Sequence, residues 1–155
     1  MIQDGLKGWL ALKSDLSEKQ EAGVRYEAVY NRTDSGFMVS WEETASGNQA
    51  ATDSRFVWDS KKQILVVSRK GERTTDLSYN VKEETNFSVE TEFGVFDGMV
   101  RTRHIDIEKE EKSLCYHVYI DYDLVFREQS PQRNKMEMFF CFLEENNFFE
   151  ESSQI

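Results

Sequence analysis

The sequence predicts an all-β protein, an antiparallel up-and-down β-barrel of about eight to ten strands. Apolar side chains recur with a period of two along most of the chain, which is the spacing of a strand with one buried face. Short turn-forming clusters separate these runs and leave no room for crossover helices. One proline and eight glycines occur in 155 residues, so no linker divides the chain. We expect one barrel domain over residues 1–143 and an acidic tail over residues 144–155.

The clearest strand runs from Leu114 to Phe126. Its alternate positions place apolar side chains on one face, whereas a helix would spread them around its axis. At about 3.3 Å per residue the run is roughly 40 Å long, which suits a strand that bends around a barrel. The apolar face consists of Leu114, Tyr116, Val118, Ile120, Tyr122, Leu124 and Phe126.

The other predicted strands are rich in β-branched and aromatic residues and are bounded by turn formers. An open sheet of so many strands would leave two exposed edges, so we expect the sheet to close. In chain order the predicted strands are Lys7–Lys13, Val24–Asn31, Gly36–Glu43, Ala51–Asp59, Gln63–Arg69, Thr75–Val81, a shorter one at Phe87–Phe93, then Val95–Ile107, Leu114–Arg127 and Lys135–Leu143. The turn formers between them include Thr33–Gly36, Ser46–Asn48, Asp59–Lys62, Lys70–Gly71 and Gln129–Asn134.

Charge and targeting signals narrow the classes of function. Asp and Glu number 29 against 19 Lys and Arg, a net charge of −10 that argues against nucleic acid or an anionic membrane as the main partner. Asp4 and Lys7 interrupt the apolar stretch that a signal peptide needs, and no segment approaches the length of a membrane span. We expect a soluble cytoplasmic protein in which Cys115 and Cys141 are reduced, mostly structural thiols.

The order of segments resembles the YwiB-like family, small bacterial proteins with a calycin-like, lipocalin-type barrel and no assigned function. The resemblance extends from about Leu6 to Phe142 and implies the fold, but it implies no catalytic residues. The matching stretches are Phe37–Glu43, Ile64–Gly71, Thr91–Gly94 before a long strand, and the strand Leu114–Phe126.

The chain departs from that family at one place. Where the family tends to carry Tyr-x-Thr-Pro-x-Gly, this sequence has Val89-Glu-Thr-Glu-Phe-Gly94, without the aromatic residue and the proline.

Motifs for catalysis are absent from the sequence. It contains no Gly-x-Ser-x-Gly elbow, no phosphate-binding glycine loop and no His-Glu-x-x-His, and its two histidines and two cysteines do not have zinc-site spacing. Cys115 and His117 are the nearest approach to a nucleophile–base pair, but their Cα atoms would lie about 6.6 Å apart. Asp121 and Asp123 mark that face as the solvated one, so we expect no enzyme, no metal and no cofactor.

The hairpin of Val95–Ile107 with Leu114–Arg127 has two alternative registers. If its turn centres between Glu110 and Glu111, the inner row contains Arg101 and Arg103, and His104 faces His117. A shift of one residue puts Phe96, Gly98, Val100, Thr102 and His104 inside, with His104 opposite Tyr116. Unpaired arginines inside a small barrel would cost several kcal/mol each, so we favour the second register.

An inward His104 beside Tyr116 is either a core imidazole satisfied by a hydroxyl or a polar group in a ligand cavity. Aromatic residues that carry a polar atom fill small barrels as often as they line pockets. The candidate ligand-binding residues are His104, Tyr116, Thr102, Tyr122, Trp41 and Trp58.

These observations support three hypotheses. The first is a non-enzymatic, lipocalin-like barrel that binds a small, partly apolar molecule in its interior, argued by analogy from the fold. The second is a protein-interaction barrel with a filled core that uses an edge, a rim, or the tail with Phe148 and Phe149. The third is an enzyme that uses His104 and neighbouring tyrosines as acid–base groups. An interior cavity of a few hundred cubic ångströms would favour the first and a filled core the second.

Overall fold

Ten antiparallel strands form a closed ring in the computed structural model, which describes residues 5–14, 25–43, 52–71, 74–110 and 115–142. This confirms the predicted all-β, up-and-down barrel. The tail with Phe148 and Phe149 and the turn at Ser46–Asn48 lie outside the described residues. The strands are β1 Leu6–Ser14, β2 Arg25–Arg32, β3 Gly36–Glu43, β4 Thr52–Asp59, β5 Ile64–Lys70, β6 Thr74–Asn80, β7 Thr85–Thr91, β8 Gly94–Glu110, β9 Cys115–Phe126 and β10 Gln132–Phe142.

Every predicted strand is present, including the weak one that becomes β7. Among the strands, β8 differs most from its predicted length. It continues past Ile107 to Glu110, because its ladder with β9 extends as far as the pair Glu110–Cys115. Local sequence suggested a loop there, since charged residues dominate it. Cross-strand pairing decides the boundary instead.

The ring is closed by the pairing of β1 with β10, from Gly8 opposite Phe142 to Ser14 opposite Met136. A Cβ atom on Gly8 would collide with the carbonyl oxygen of Cys141. Glycine at this position therefore permits the close approach of the first and last strands.

Alternate residues of the strands point inward and pack into one continuous core. In β9 the predicted inner face is confirmed, with Val118, Ile120, Tyr122 and Leu124 buried. Other members of the core are Leu10, Val39, Phe56, Leu65, Tyr79, Val100, Met138 and Phe140.

A β-bulge between Thr102 and His104 corrects the predicted register of β8 against β9. Val100 and Thr102 are buried and Arg101 and Arg103 are exposed, as the favoured register required, but Phe96, which it placed inside, is 49% exposed. The extra residue reverses the alternation, so that Ile105 turns inward and His104 turns outward. His104 pairs with Asp121, and the predicted pairing with Tyr116 is wrong because the hairpin turns later in the chain, with Glu110 opposite Cys115.

The β6–β7 contact is the least regular in the ring. Across this seam the described residues form a single registered pair, Thr75 with Val89, whereas β5 with β6 and β7 with β8 form continuous ladders. A side-chain bond supplements it, since the Thr85 hydroxyl donates to the Ser78 carbonyl oxygen over 2.5 Å. β7 is therefore held mainly by β8.

The two cysteines form a disulfide, so the expectation of two reduced thiols is wrong. Cys115 at the start of β9 and Cys141 near the end of β10 are directly opposite each other, with Cα atoms 4.1 Å apart. They are 26 residues apart in sequence. Only the register of the two strands brings them together.

We expect the double variant Cys115→Ser, Cys141→Ser to be about 3 kcal/mol less stable than the oxidised protein, because the bond restricts the unfolded chain. Urea unfolding followed by tryptophan fluorescence measures the difference. Reductant should lower the midpoint of the wild type and leave that of the variant unchanged. Full alkylation of the denatured, unreduced wild type by iodoacetamide would contradict the disulfide.

Candidate functional site

The structure distributes the six predicted ligand-binding residues over four environments. Tyr116 and Trp58 lie at one end of the barrel, formed by the start of β9, the end of β10 and the turns Thr33–Ser35 and Ser60–Gln63; we name it the Tyr116 mouth. Tyr122 and Thr102 lie in the middle of the interior, and Trp41 lies towards the opposite end. His104 is on the outer surface. The predicted set therefore does not form one site.

An aromatic cluster occupies half of the Tyr116 mouth. The ring of Tyr116 packs 4.8 Å from Phe37 and 5.7 Å from Tyr30, and Phe142 meets Tyr30 edge-on at 5.2 Å. The hydroxyl oxygens of Tyr30 and Tyr116 are 3.5 Å apart. Burial, and then the hydrogen bond with Tyr116, raise the pKa of Tyr30 above its usual value. Tyr30 therefore stays neutral at physiological pH, and the two hydroxyl groups offer polar atoms among apolar rings.

A small pocket of about 250 Å³ occupies part of the same mouth. Trp58 and Ile105 form apolar walls that belong to opposite sides of the ring, in β4 and β8. The remaining lining residues are Gln63, Asn80, Val81 and Lys82. The pocket thus combines an indole and an aliphatic wall with two amides and an ammonium group.

Below the mouth the interior is filled by side chains. Tyr79 and Tyr122 pack edge to face with ring centres 4.9 Å apart, and both are almost fully buried. Burial raises the pKa of Tyr79 well above its usual value, with smaller effects from Tyr122. The Thr102 hydroxyl is buried without a hydrogen-bond partner in the described part of the chain. Tyr122 and Thr102 are therefore core residues.

His104 is 56% exposed and its Nε2 atom lies 2.8 Å from Oδ2 of Asp106. The prediction of an inward imidazole in a ligand cavity is wrong, because the bulge at Arg103 turns this position outward. Its proposed partners Thr102 and Tyr116 both lie inside the barrel.

Trp41 belongs to the other end of the barrel. Its Nε1 atom donates to Oε1 of Glu43 over 3.1 Å, and the same carboxylate oxygen lies 3.8 Å from a guanidinium nitrogen of Arg69. The indole is buried and its polar atom is satisfied. This arrangement fixes Trp41 in the core.

A further concavity is on the outer surface, and of the six predicted ligand-binding residues Trp41 alone contributes to its lining. It is a groove of about 790 Å³ across β1 to β5, which we name the outer groove. Its floor includes Val29, Ser40 and Ser68, which stand side by side with Arg55 in one row of strand pairs. These outward side chains are short, and Ser68 is buried although it faces out. The surface dips because long side chains surround short ones.

Charged side chains flank the outer groove. Three are cations, Lys7, Arg55 and Lys70, and three are carboxylates, Glu27, Glu42 and Asp53. Glu42 and Asp53 are directly opposite each other on β3 and β4, a like-charge juxtaposition that destabilises a sheet. Lys70 is opposite Asp53 on its other side. The lining is balanced in charge, although the chain as a whole carries −10.

The outer groove was not predicted from the sequence, because the residues that line it have the pattern of the solvated face of an ordinary strand. The one available signal was the row of small or short outward residues, Val29, Ser40 and Ser68, between charged neighbours. That row can be recognised only when the register of the strands is known.

The outer face of β8 to β10 carries buried carboxylates. Asp123 is only 2% exposed and accepts two hydrogen bonds from Arg103, at 3.1 and 2.9 Å. Asp121 accepts two from Arg133, at 3.2 and 2.8 Å. This face is outward as predicted, but its two carboxylates are not solvated. Arginines from the neighbouring strands cover them.

His117 and Cys115 form no catalytic pair. The imidazole stacks on Phe139 with ring centres 4.4 Å apart, and its Nε2 lies 3.2 Å from Oε2 of Glu137. Cys115 is bonded to Cys141 and has no free thiol. No cluster of three or more His, Cys, Asp or Glu side chains suited to a metal is found in the described ranges.

Comparison with known proteins identifies the family. Residues 12–138 match the family model described as a domain of unknown function, DUF1934. The chain belongs to this family. No curated protein matches it. No helix in the described part of the chain is long and apolar enough to cross a membrane.

A solved structure has a similar fold. The crystal structure of the ywiB protein from Bacillus subtilis has a TM-score of 0.70 and 16% sequence identity, and the match covers 92% of this chain and 95% of that one. The resemblance to the YwiB-like family is thereby confirmed. At this identity the likeness concerns the fold alone.

The Asp121–Arg133 pair predicts a dependence of stability on pH. Its hydrogen bonds to Arg133 lower the pKa of Asp121 below the ordinary value of about 3.9. A lowered pKa in the folded state contributes stability above the unfolded-state pKa, and this contribution is lost as the pH falls through the folded-state pKa.

We therefore expect Asp121→Asn to lower Tm by a few degrees at pH 7, with the difference from wild type shrinking below about pH 4. Thermal unfolding followed by circular dichroism measures both proteins across that range. Asp76→Asn, at an exposed position of β6, is the control and should follow the wild type. An unchanged difference between pH 7 and pH 3 would refute the electrostatic origin.

Proposed function

We propose that this protein is a non-enzymatic binding barrel that holds an extended segment of another protein in the outer groove. The observation that supports this most is the groove itself, about 790 Å³ on the outside of a barrel whose interior is packed. A filled interior favours a protein-interaction barrel over one that encloses its ligand. From the sequence we expected a protein-interaction barrel to use an edge, a rim or the tail. We now propose the outer face of β1–β5 as its interaction site.

The lining of the groove indicates the character of the segment. The row with Lys7 and Arg55 suits acidic side chains, and the row with Glu42 and Asp53 suits basic ones. The two rows are two residues apart along each strand, about 7 Å. An extended peptide with side chains of both charges fits this spacing, and the short residues in the row of Lys7 and Arg55 leave space for its backbone.

The facing carboxylates of Glu42 and Asp53 favour the outer groove as a binding site, whatever the identity of the partner. Opposed like charges lower the stability of the unbound sheet, and a basic side chain placed between them would offset the repulsion. Residues that serve binding often reduce stability in this way.

We expect Glu42→Gln to raise the free energy of unfolding by about 0.2–1 kcal/mol and to weaken peptide binding. The probe is a capped, fluorescein-labelled peptide, Thr-Lys-Thr-Glu-Thr-Lys, titrated by fluorescence anisotropy at low salt. Glu83→Gln, in the exposed β6–β7 turn, is the matched control and should change neither quantity. Equal affinity of the Glu42 variant and the wild type would reject the groove as the site.

A second candidate function is the binding of a small, partly apolar molecule at the Tyr116 mouth. The pocket of about 250 Å³ beside Trp58 and the tyrosine hydroxyl pair favour it. This restricts the lipocalin-like hypothesis to the rim, because side chains fill the interior below. Only two of the predicted ligand residues, Tyr116 and Trp58, belong to this version.

A native mass spectrum of freshly purified protein, compared with the denatured mass, tests the second candidate. A bound molecule should appear as excess mass that is lost on denaturation, and Trp58→Ala should reduce its affinity about tenfold, a loss of roughly 1.4 kcal/mol in binding, and so lower the adduct signal. His104→Ala, on the outer surface, should retain the adduct. An adduct that persists in the Trp58 variant would place the molecule elsewhere.

The remaining expectations stay proposals. We also propose that the protein has no enzymatic activity and no cofactor, because its sequence lacks catalytic motifs. Its acidic charge argues against a nucleic-acid or membrane partner. A cytoplasmic location also remains a prediction, and the Cys115–Cys141 bond weighs against it because reducing compartments seldom maintain disulfides.

A further inference from the structure

The hairpin that joins β7 to β8 exposes a cluster of apolar side chains. Phe93 is 88% exposed, Val95 60% and Phe96 49%, within four consecutive residues. We name Glu90–Asp97 the hairpin tip. Single exposed apolar residues are ordinary, but a contiguous group marks an interaction surface.

Strand pairing extends to the end of the hairpin. β7 and β8 stay paired to the end, with Thr91 opposite Gly94. Across the other edge of β7, the last registered pair within the described residues is Val89 with Thr75. In this antiparallel register Thr74, the first residue of β6, is opposite Glu90. The turn Glu92–Phe93 follows Thr91 and forms the end of the hairpin.

The turn geometry fixes the shape of the tip. Gly94 has φ of +121°, a conformation that residues with a side chain rarely adopt. It allows a two-residue turn, Glu92–Phe93, that ends the ribbon abruptly. Val95 is opposite Glu90, whereas Phe96 is opposite Val89, whose side chain packs against the core. Apolar groups consequently emerge on both faces of the ribbon.

The charge of the hairpin indicates its partner. From Thr85 to Gly98 the sequence contains Glu90, Glu92 and Asp97 and neither lysine nor arginine. All three carboxylates are at exposed positions. A second copy of this chain, with net charge −10, and an anionic membrane are both repelled by such a surface. A basic, apolar polypeptide is attracted to it.

We propose that the hairpin tip is a docking site for an extended segment of another protein in which apolar residues alternate with lysine or arginine. The apolar side chains of the segment cover Phe93 and Val95, and its basic side chains meet Glu90 and Glu92. This site is separate from the outer groove and does not depend on it.

The test uses two capped peptides and the full-length, ¹⁵N-labelled protein at low salt. One peptide is Lys-Val-Lys-Val-Lys-Val and the other is Lys-Ser-Lys-Ser-Lys-Ser, which has equal charge and no apolar side chains. We expect amide shifts centred on residues 89–97, and about tenfold tighter binding of the valine peptide. The double variant Phe93→Ser, Val95→Ser should reduce the affinity for the valine peptide to that for the serine peptide.

Control variants separate this site from other acidic surfaces. Val81→Ser removes a 52% exposed apolar side chain at the opposite end of the barrel and should leave the affinity unchanged. Glu83→Gln, in the exposed β6–β7 turn, should also leave it unchanged. Both substituted tip positions are exposed, so we expect the double variant to keep the wild-type Tm.

Four results would overturn the proposal. They are equal affinity for the two peptides, shifts centred on the outer groove, tip-dependent self-association in sedimentation, and tip-dependent binding to phosphatidylcholine vesicles. The last two would assign the tip to a second copy of the chain or to a membrane.

Discussion

Closure of the sheet is the constraint on which the rest of the structure depends. When β1 pairs with β10, each strand has two neighbours, and the alternation along the strands separates a dry interior from a solvated exterior. Gly8 allows this joint, because any side chain would meet the Cys141 carbonyl. The neighbouring disulfide between β9 and β10 links strands beside the same joint.

A ring of this size can hold either a ligand or its own side chains, and here large aromatic residues decide the outcome. Tyr79, Tyr122, Phe56 and Phe140 are almost fully buried and extend across the interior. The candidate binding surfaces are therefore on the periphery of the barrel. They are the Tyr116 mouth, the outer groove and the hairpin tip.

These three surfaces differ in polarity. The mouth combines aromatic rings with tyrosine hydroxyls and Lys82, and the groove balances three cations against three carboxylates. The tip is apolar and purely acidic. Because of these differences, each surface suits a different class of ligand. The fold by itself indicates no ligand.

The sequence by itself determined the fold class, the number and order of the strands and most of the inner face, because alternation with period two is a local property of the chain. Tertiary structure alone decided the orientation of His104, the Cys115–Cys141 bond and the outer groove. Each depends on which residues of neighbouring strands stand opposite one another, and one inserted residue at Arg103 reverses everything beyond it. Register is set by packing between segments far apart in sequence, so no local pattern contains it.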